Sequence, residues 1–262
     1  MNKKKGKVKK LHALLLIILF INVFVLGFEI GMRTNRVTIT YYNETKAEIV
    51  PVAFIPYNVS DDSSFSSIII PAVDDEKNGI ATFLTVQVTP GHGRILVNID
   101  KLLFWTDTQH SIRTATKVAS NITGVNLSKY DIIYTLTTNA TAVEGSSAGA
   151  AITIATIAAL RHERLKQDVM ITGAINHDGT IGPVGDILPK AKLAKSVGAK
   201  ILLVPLLQSH ETTYKTRKYC EQLGYSEICT IEKIPEKIDI GKEAGINVIE
   251  VKDIGEALQY FE

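Results

Sequence analysis

Leu11 to Ile30 is an apolar run interrupted only by His12, Asn22 and Glu29. About 20 apolar residues at 1.5 Å rise each cross a ~30 Å hydrocarbon core, so the pattern predicts a membrane-spanning helix over residues 11–31. Beyond it the hydrophobic period shortens. Residues 37–75 read as short β segments, such as Val37–Tyr42, separated by polar stretches such as Ser60–Ser64. Ile80 to Val88 alternates as a strand, and Pro90-Gly-His-Gly93 is expected to turn it back into Ile95–Ile99. From Thr106 the period lengthens: Ile112, Ala115, Val118, Ala119 and Ile122 recur at helical spacing, with Thr106 or Asp107 as the N-cap. Asp131–Leu136 is strand-like. Ser147–Leu160 is small or apolar on every side, which predicts a deeply buried helix. Val169–Ile175 and Thr180–Val184 flank Asn176-His-Asp-Gly179, a hairpin signal. A helix covers Ile187–Val197 and stops at Gly198. Ile201–Val204 is a short buried strand; Thr213–Leu223, Val248–Val251 and Ile254–Phe261 complete an alternating α/β tail.

Charge sharpens the first element. Residues 1–36 hold eight Lys/Arg and one Glu, a net +7, while the remaining 226 residues are net −5. Six of the first ten residues are lysine. A positive flank stays cytoplasmic, so the chain beyond about residue 35 is expected outside the membrane. A cleaved signal peptide is the competing reading, but its apolar core is shorter and ends at a small-x-small site, which Gly27-Phe-Glu-Ile-Gly31 does not supply. The mildly acidic body gives no electrostatic footprint for nucleic acid. With apolar residues at 45% and charged ones at 21%, neither a disordered chain nor a multi-span transporter is in view. Five N-x-[ST] sequons, at Asn43, Asn58, Asn121, Asn126 and Asn139, are acceptors only on an exported chain. Cys220 and Cys229 form one disulfide in an oxidising compartment or remain two buried thiols. No C-x-x-C or His/Cys cluster marks a metal site.

Two segments carry candidate chemistry. Glu144-Gly-Ser-Ser-Ala-Gly149 enters the buried helix, where unpaired N–H groups and a positive dipole suit a serine nucleophile whose reaction builds an oxyanion. The same position suits a plain helix cap. In Asp186-Ile-Leu-Pro-Lys-Ala-Lys-Leu-Ala-Lys195, Ile187, Ala191, Leu193, Ala194 and Val197 form an apolar arc at 100° per residue. Lys190 projects into that arc, Lys192 points away and Lys195 lies near its edge. An inward lysine either snorkels at the core's rim or loses its charge through burial, and a neutral amine can take a proton from a serine hydroxyl. His110, His162 and His177 are rival bases with no marking context. His92 reads as a turn residue.

Glu144–Gly149 resembles the Asp-Gly-Pro-Ser-Ala-Gly element of Lon proteases. Val169-Met-Ile-Thr-Gly-Ala-Ile175, Gly179-Thr-Ile-Gly-Pro-Val-Gly185, Lys190 and Gly198-Ala-Lys-Ile-Leu-Leu-Val-Pro205 follow in the order and spacing of the same proteolytic domain. Ser147 and Lys190 stand 43 positions apart, the family's separation of nucleophile and base. Thr172 matches the threonine that hydrogen-bonds that lysine. The resemblance covers residues 78–262 and is similar in particular to membrane-anchored archaeal Lon-like peptidases without an ATPase. It implies an α/β Lon proteolytic-domain fold, a ribosomal-protein-like sandwich, behind an N-terminal transmembrane helix. The implied organisation is a basic tail (1–10), an anchor (11–31), a stalk or extension (32–77) and the proteolytic domain (78–262).

The implied activity is an ATP-independent serine endopeptidase with catalytic Ser147, Lys190 and Thr172, and with Glu144, Gly145 and Ser146 at the substrate and oxyanion side. Unfolded or membrane-proximal polypeptides are the expected substrates, and a hexameric ring is the family's usual assembly. No cofactor is expected, since no G-x-x-x-x-G-K-[ST] loop occurs in the 262 residues. Glu144 and Ser146 depart from the family's Asp and Pro. Leu188-Pro-Lys190 replaces Lys-Glu-Lys, and residues 206–245 look longer than the family's loop. Two other classes compete. Gly145-Ser-Ser-Ala148 resembles the end of a GHMP-type kinase phosphate loop, but Glu144 repels a triphosphate. A non-catalytic, membrane-anchored binding module is the alternative that keeps the fold.

Overall fold

Alternation of buried and exposed residues builds the first sheet of the computed structural model, which describes residues 62–98, 103–104, 106–138, 142–143, 145–223 and 226–262. In β1 (Ser64–Val73), Ser64, Ser66, Ile68 and Ile70 are buried while Phe65 and Ser67 are exposed. β1 pairs antiparallel with β2 (Gly79–Pro90), from Ser64 opposite Val88 to Val73 opposite Gly79. Ser64–Val73 falls in the segment read from sequence as a stalk or extension. Its pairing carries the sheet upstream of residue 78. The expected anchor over 11–31 and the strand Val37–Tyr42 lie outside the described residues. No helix among the described residues is long and apolar enough to cross a membrane.

β3 (Ile95–Asn98) and β4 (Leu103–Phe104) precede α1 (Thr106–Thr123), whose first helical residue is Thr106. β5 (Tyr130–Thr138) follows, and β6 (Ala142–Val143) pairs with β4. The expected β2–β3 hairpin does not form. The sheet order is β1-β2-β5-β3, with β5 antiparallel to β2 and parallel to β3. The reason is a carboxylate 40 residues downstream of the turn. Asp131, 3% exposed, accepts the backbone N–H of His92 and of Arg94, each at 2.9 Å, and the Arg94 guanidinium. This fastens the turn to the start of β5. The Arg94 side-chain bond holds the Asp131 carboxyl far below the usual carboxylate range. Gly91 is required here, because a side chain would run into that carboxylate.

α1 packs against α2 (Gly149–Arg161), and α2 against β1 and β2. Every residue of α2 from Gly149 to Leu160 is buried, as its uniformly small and apolar sequence predicts. One polar network crosses this core. The Tyr134 hydroxyl lies 2.8 Å from Thr116 Oγ1 on α1 and 2.9 Å from Thr156 Oγ1 on α2. Each threonine also donates to the carbonyl four residues before it, at 2.7 Å. Burial pushes the Tyr134 phenol up from its ordinary pKa.

The second half alternates. β7 (Val169–Ile171) and the short hairpin β8 (Ala174–Ile175) to β9 (Ile181–Gly182) lead into α3 (Ile187–Ser196) and β10 (Ile201–Pro205). The alternation expected for the tail then breaks. β11 (His210–Leu223) and β12 (Ser226–Asp239) pair antiparallel along their whole length as a separate two-stranded arm. At 3.4 Å per residue each strand is roughly 48 Å long. Cys220 and Cys229 face each other across it and are disulfide-bonded. α4 (Ile240–Ala244), β13 (Asn247–Val251) and α5 (Ile254–Phe261) complete the chain. β13, β10 and β7 form a parallel sheet in that order, with α3 packed on Met170, Leu202 and Val204. The architecture is thus mixed α/β.

Tyr134→Phe removes the hydroxyl that joins α1, β5 and α2 and leaves two buried threonine oxygens short of a partner. It should lower the unfolding free energy by about 1–3 kcal/mol, read from urea titration, with an unchanged slope.

Candidate active site

Gly145 begins the site. Its φ of 96° and ψ of 163° are open essentially to glycine alone. It turns the chain from β6 into a 3₁₀ turn, Ser146–Ala148, which runs directly into α2. The first amides of such a turn have no partner within it and point outward. Gly149 lets the helix start lie on β8, since a Cβ there would sit 2.6 Å from Ile175 Cγ2 and 2.8 Å from its nitrogen.

The main chain of Ser147 is clamped by the residues that follow β7. Gly173 N–H donates to the Ser147 carbonyl at 2.9 Å, and Thr172 Oγ1 donates to the same oxygen at 3.4 Å. Ala150 N–H donates back to the Gly173 carbonyl at 3.0 Å. Thr172 itself is fully buried and tied to β10 through its N–H to Leu203 O at 3.0 Å. The serine side chain is left out of all this. Neither the 3₁₀ turn nor α2 has a side-chain cap. The capping role open to Ser147 from sequence is therefore not the one it takes.

The lysine helix behaves as its apolar arc predicts. Lys190 is 3% exposed between buried Ile187, Ala191 and Ala194, whereas Lys192 and Lys195 are exposed. α3 reaches this depth over Gly79, where a Cβ would lie 2.7 Å from Leu193 Cβ. Asp186, left-handed at φ 54°, stands at the N-cap position without a side-chain cap bond, and the peptide before it turns its carbonyl to the Lys190 amine. The Lys190 Nζ donates to the Gly185 carbonyl at 3.1 Å. The nearest carboxylate in charge terms, Asp186, is engaged by Lys77 at 3.1 Å. Burial outweighs its pull, and the Lys190 amine falls to a pKa of about 8.

The structure brings Ser147 and Thr172 together through the backbone and buries Lys190 as expected. It differs on the amine's partner. Sequence reasoning places Lys190 on Ser147 or Thr172; among the described residues its hydrogen bond is to Gly185 O, and the Thr172 hydroxyl goes to the Ser147 carbonyl. The carbonyls and amides of Gly173 and Gly185 were invisible beforehand because backbone groups carry no sequence signal. Gly145 and Ser146 lead into the turn that holds Ser147; Glu144 lies outside the described residues. Of the rival bases, His162 caps the far end of α2, roughly 20 Å away along the helix. His110 and His177 pack ring to ring at 5.9 Å. His92 serves the β2 turn through its N–H. The cluster Cys220, Glu227 and Cys229 has ligand spacing, but its sulfurs are joined to each other. A pocket of about 670 Å³ lined by Lys195, Lys200, Asp239 and Lys242 does not include Ser147, Thr172 or Lys190.

Comparison with known proteins places this geometry. The family model of the Lon protease (S16) C-terminal proteolytic domain matches residues 106–256. The chain belongs to this family. It is 27% identical over 178 residues to the archaeal Lon protease of Thermococcus kodakarensis, covering 66% of this chain and 27% of that protein. The archaeal Lon protease of Pyrococcus abyssi is 27% identical over 173 residues, covering 64% and 17%. Lon protease 2 of Bacillus subtilis is 33% identical over 97 residues, covering 37% and 16%. The chain thus spans about a quarter or less of these curated relatives. Its Lon domain is of the serine protease type.

Lys190 is a destabilising feature of the fold whenever it is protonated. Its folded pKa of about 8 lies below the unfolded value of 10.5, so folding must work against the charge at neutral pH. Lys190→Met should raise the melting temperature at pH 7, by up to about 3 kcal/mol in stability. That advantage should shrink as pH rises from about 8 toward 10.5, where the wild-type amine is neutral in both states. Melting curves across that range check both the sign and the window.

Proposed function

We propose that the protein is a serine endopeptidase with a Ser-Lys dyad, working without ATP on unfolded or membrane-proximal polypeptides. The observation that carries the reading is a buried lysine amine with no carboxylate bonded to it among the described residues, in a Lon-family domain whose serine hydroxyl is not spent on a cap.

In this reading Ser147 Oγ attacks the scissile carbonyl carbon as its proton passes to neutral Lys190 Nζ. One N–H of the neutral amine rests on Gly185 O, which leaves its lone pair for the serine. A Lys190 side chain on a flexible stem closes the remaining gap when substrate enters. The oxyanion meets the first amides of the turn at Ser146 and Ser147, beside Gly145. Lys190 then returns the proton to the leaving amine as the C–N bond breaks. Water attacks the acyl-enzyme, its proton goes to Lys190, and Oγ is released and reprotonated. Thr172 acts as a positioning residue, holding the Ser147 carbonyl and hence the direction of its hydroxyl. By the family resemblance Glu144, Gly145 and Ser146 are given the substrate and oxyanion role. Without a nucleotide loop in these residues, short or unfolded chains are cut and tightly folded ones are spared. The lysine-flanked run over 11–31 anchors the chain in the membrane with the domain outside, and copies assemble as a ring.

Ser147→Ala and Lys190→Ala should each lower kcat by about a thousandfold or more, and the double variant should be scarcely worse, because the pair acts as one unit. Lys192→Ala should keep kcat within about twofold, since among the described residues its exposed amine pairs with Glu243 at 3.9 Å, away from Ser147. Activity should rise with pH through one apparent pKa of about 8, as the protonated amine becomes the base. A Lys190→Ala variant with unchanged turnover would remove the dyad, and full turnover by Ser147→Ala would return the chain to a non-catalytic module.

The orientation has its own check. Protease added to intact cells should digest the domain and spare a fragment of the first ~35 residues. Complete protection of an uncleaved chain would reverse the topology.

A further inference from the structure

The turn between β10 and β11 is apolar, exposed and held rigidly. Leu207 is 90% exposed and Leu206 52% exposed, yet both directly follow a buried strand. Leu207 has φ 64°, in the left-handed region that a leucine rarely enters. Solvent has no use for such an arrangement, and the hydrophobic effect opposes it. The turn is nevertheless fixed from both sides. Glu250 on β13 accepts the N–H of Leu207 and of Ser209, each at 2.9 Å. Hydrogen bonding from Ser209 first, against burial, keeps its carboxyl below the ordinary value. The Gln208 side chain forms a two-way clip with Val184, accepting its N–H at 2.9 Å and donating to its carbonyl at 2.7 Å. A backbone outlier that its surroundings over-determine is a reason to look for a task.

The position suggests which task. Val184 adjoins Gly185, whose carbonyl holds the Lys190 amine. On the opposite side of the turn, Pro205 lies against Gly173, the residue whose N–H clamps Ser147; a Cβ on Gly173 would stand 3.6 Å from Pro205 Cγ. The leucine pair is therefore fastened to both halves of the catalytic arrangement, and most directly to the loop that carries Lys190. In the proposed reaction Lys190 gives its proton to the departing amine. The half of the substrate that leaves first must then lie on the side of the Val184–Gly185 loop.

We infer that Leu206 and Leu207 form an apolar contact for the side chain that follows the scissile bond, so that this turn selects polypeptides with an apolar residue at the start of the leaving half. The inference rests on the peptidase reading above. Leu207 is a specificity-determining residue in it, not a catalytic one.

The decisive variant is Leu207→Asn, because asparagine accepts the left-handed backbone and so removes only the apolar surface. Two substrate types separate the effects on the full-length protein. One is a set of internally quenched peptides identical except for Leu, Ser or Glu immediately after the cleaved bond. The other is an activated ester of the same acyl half, whose small leaving alcohol cannot reach the turn. Leu207→Asn should lower kcat/KM about tenfold for the Leu peptide, change the Ser and Glu peptides little, leave ester turnover unaltered and hold or raise the melting temperature, since it relieves the left-handed leucine. Leu207→Gly should behave in the same way. An equal loss on peptide and ester would make the turn merely structural and overturn the inference. So would a Leu-to-Glu preference that survives both substitutions. Ester turnover that does not depend on Ser147 would bring down the peptidase reading, and the inference with it.

Discussion

Burying an amine with no carboxylate to keep its proton is costly, and among the described residues the second half of this domain is built around doing so at Lys190. The helix that carries it must lie close to two sheets at once. Gly79 permits the approach to β2, and Ala191 and Ala194 permit it to β10. Asp186 adopts a left-handed conformation that points the Gly185 carbonyl at the amine, and its own carboxylate is drawn off by Lys77. Had that carboxylate bonded Lys190 instead, the pair would have restored the charge and with it the ordinary pKa. The same side chain would then have been a structural ion pair, unable to take the part of base that the proposed reaction gives it.

The serine side is fixed by different means. Among the described residues its hydroxyl has no partner, because other groups hold the turn: Gly173 N–H and the Thr172 hydroxyl on the Ser147 carbonyl, and Gly173 O on Ala150 N–H. β10 joins the two sides, since it holds Thr172 through Leu203 and ends in the turn clipped to Val184. The polar Tyr134 network lies elsewhere, between α1, β5 and α2, and gives the first half one fixed packing.

Much of this was legible in the chain. The face of Lys190 follows from helical spacing alone, and the burial of α2 from its composition. The order and spacing of the matched motifs point to the same family that the domain comparison shows. What could not be read depended on partners distant in sequence or on groups without side chains. β3 follows β2 across a convincing turn, but Asp131 decides that β5 comes between them. Thr213–Leu223 lacks a buried face, so neither period stands out; its strand form comes from pairing with β12. The partner of the lysine amine is a carbonyl, and every residue has one.

The helix behind Ser147 has a consequence for the history of such chains. Gly149 to Leu160 are all enclosed, so almost any replacement there meets a wall of neighbours. Gly145 is held by its backbone angles in the same uncompromising way. Ser147 is different: among the described residues its side chain bonds nothing, and a chain without the proposed activity could exchange it without disturbing the fold. A descendant would then keep the Gly-to-helix signature long after the chemistry had gone. The frame around Ser147 records ancestry; in the proposed reaction only the hydroxyl at its centre records use.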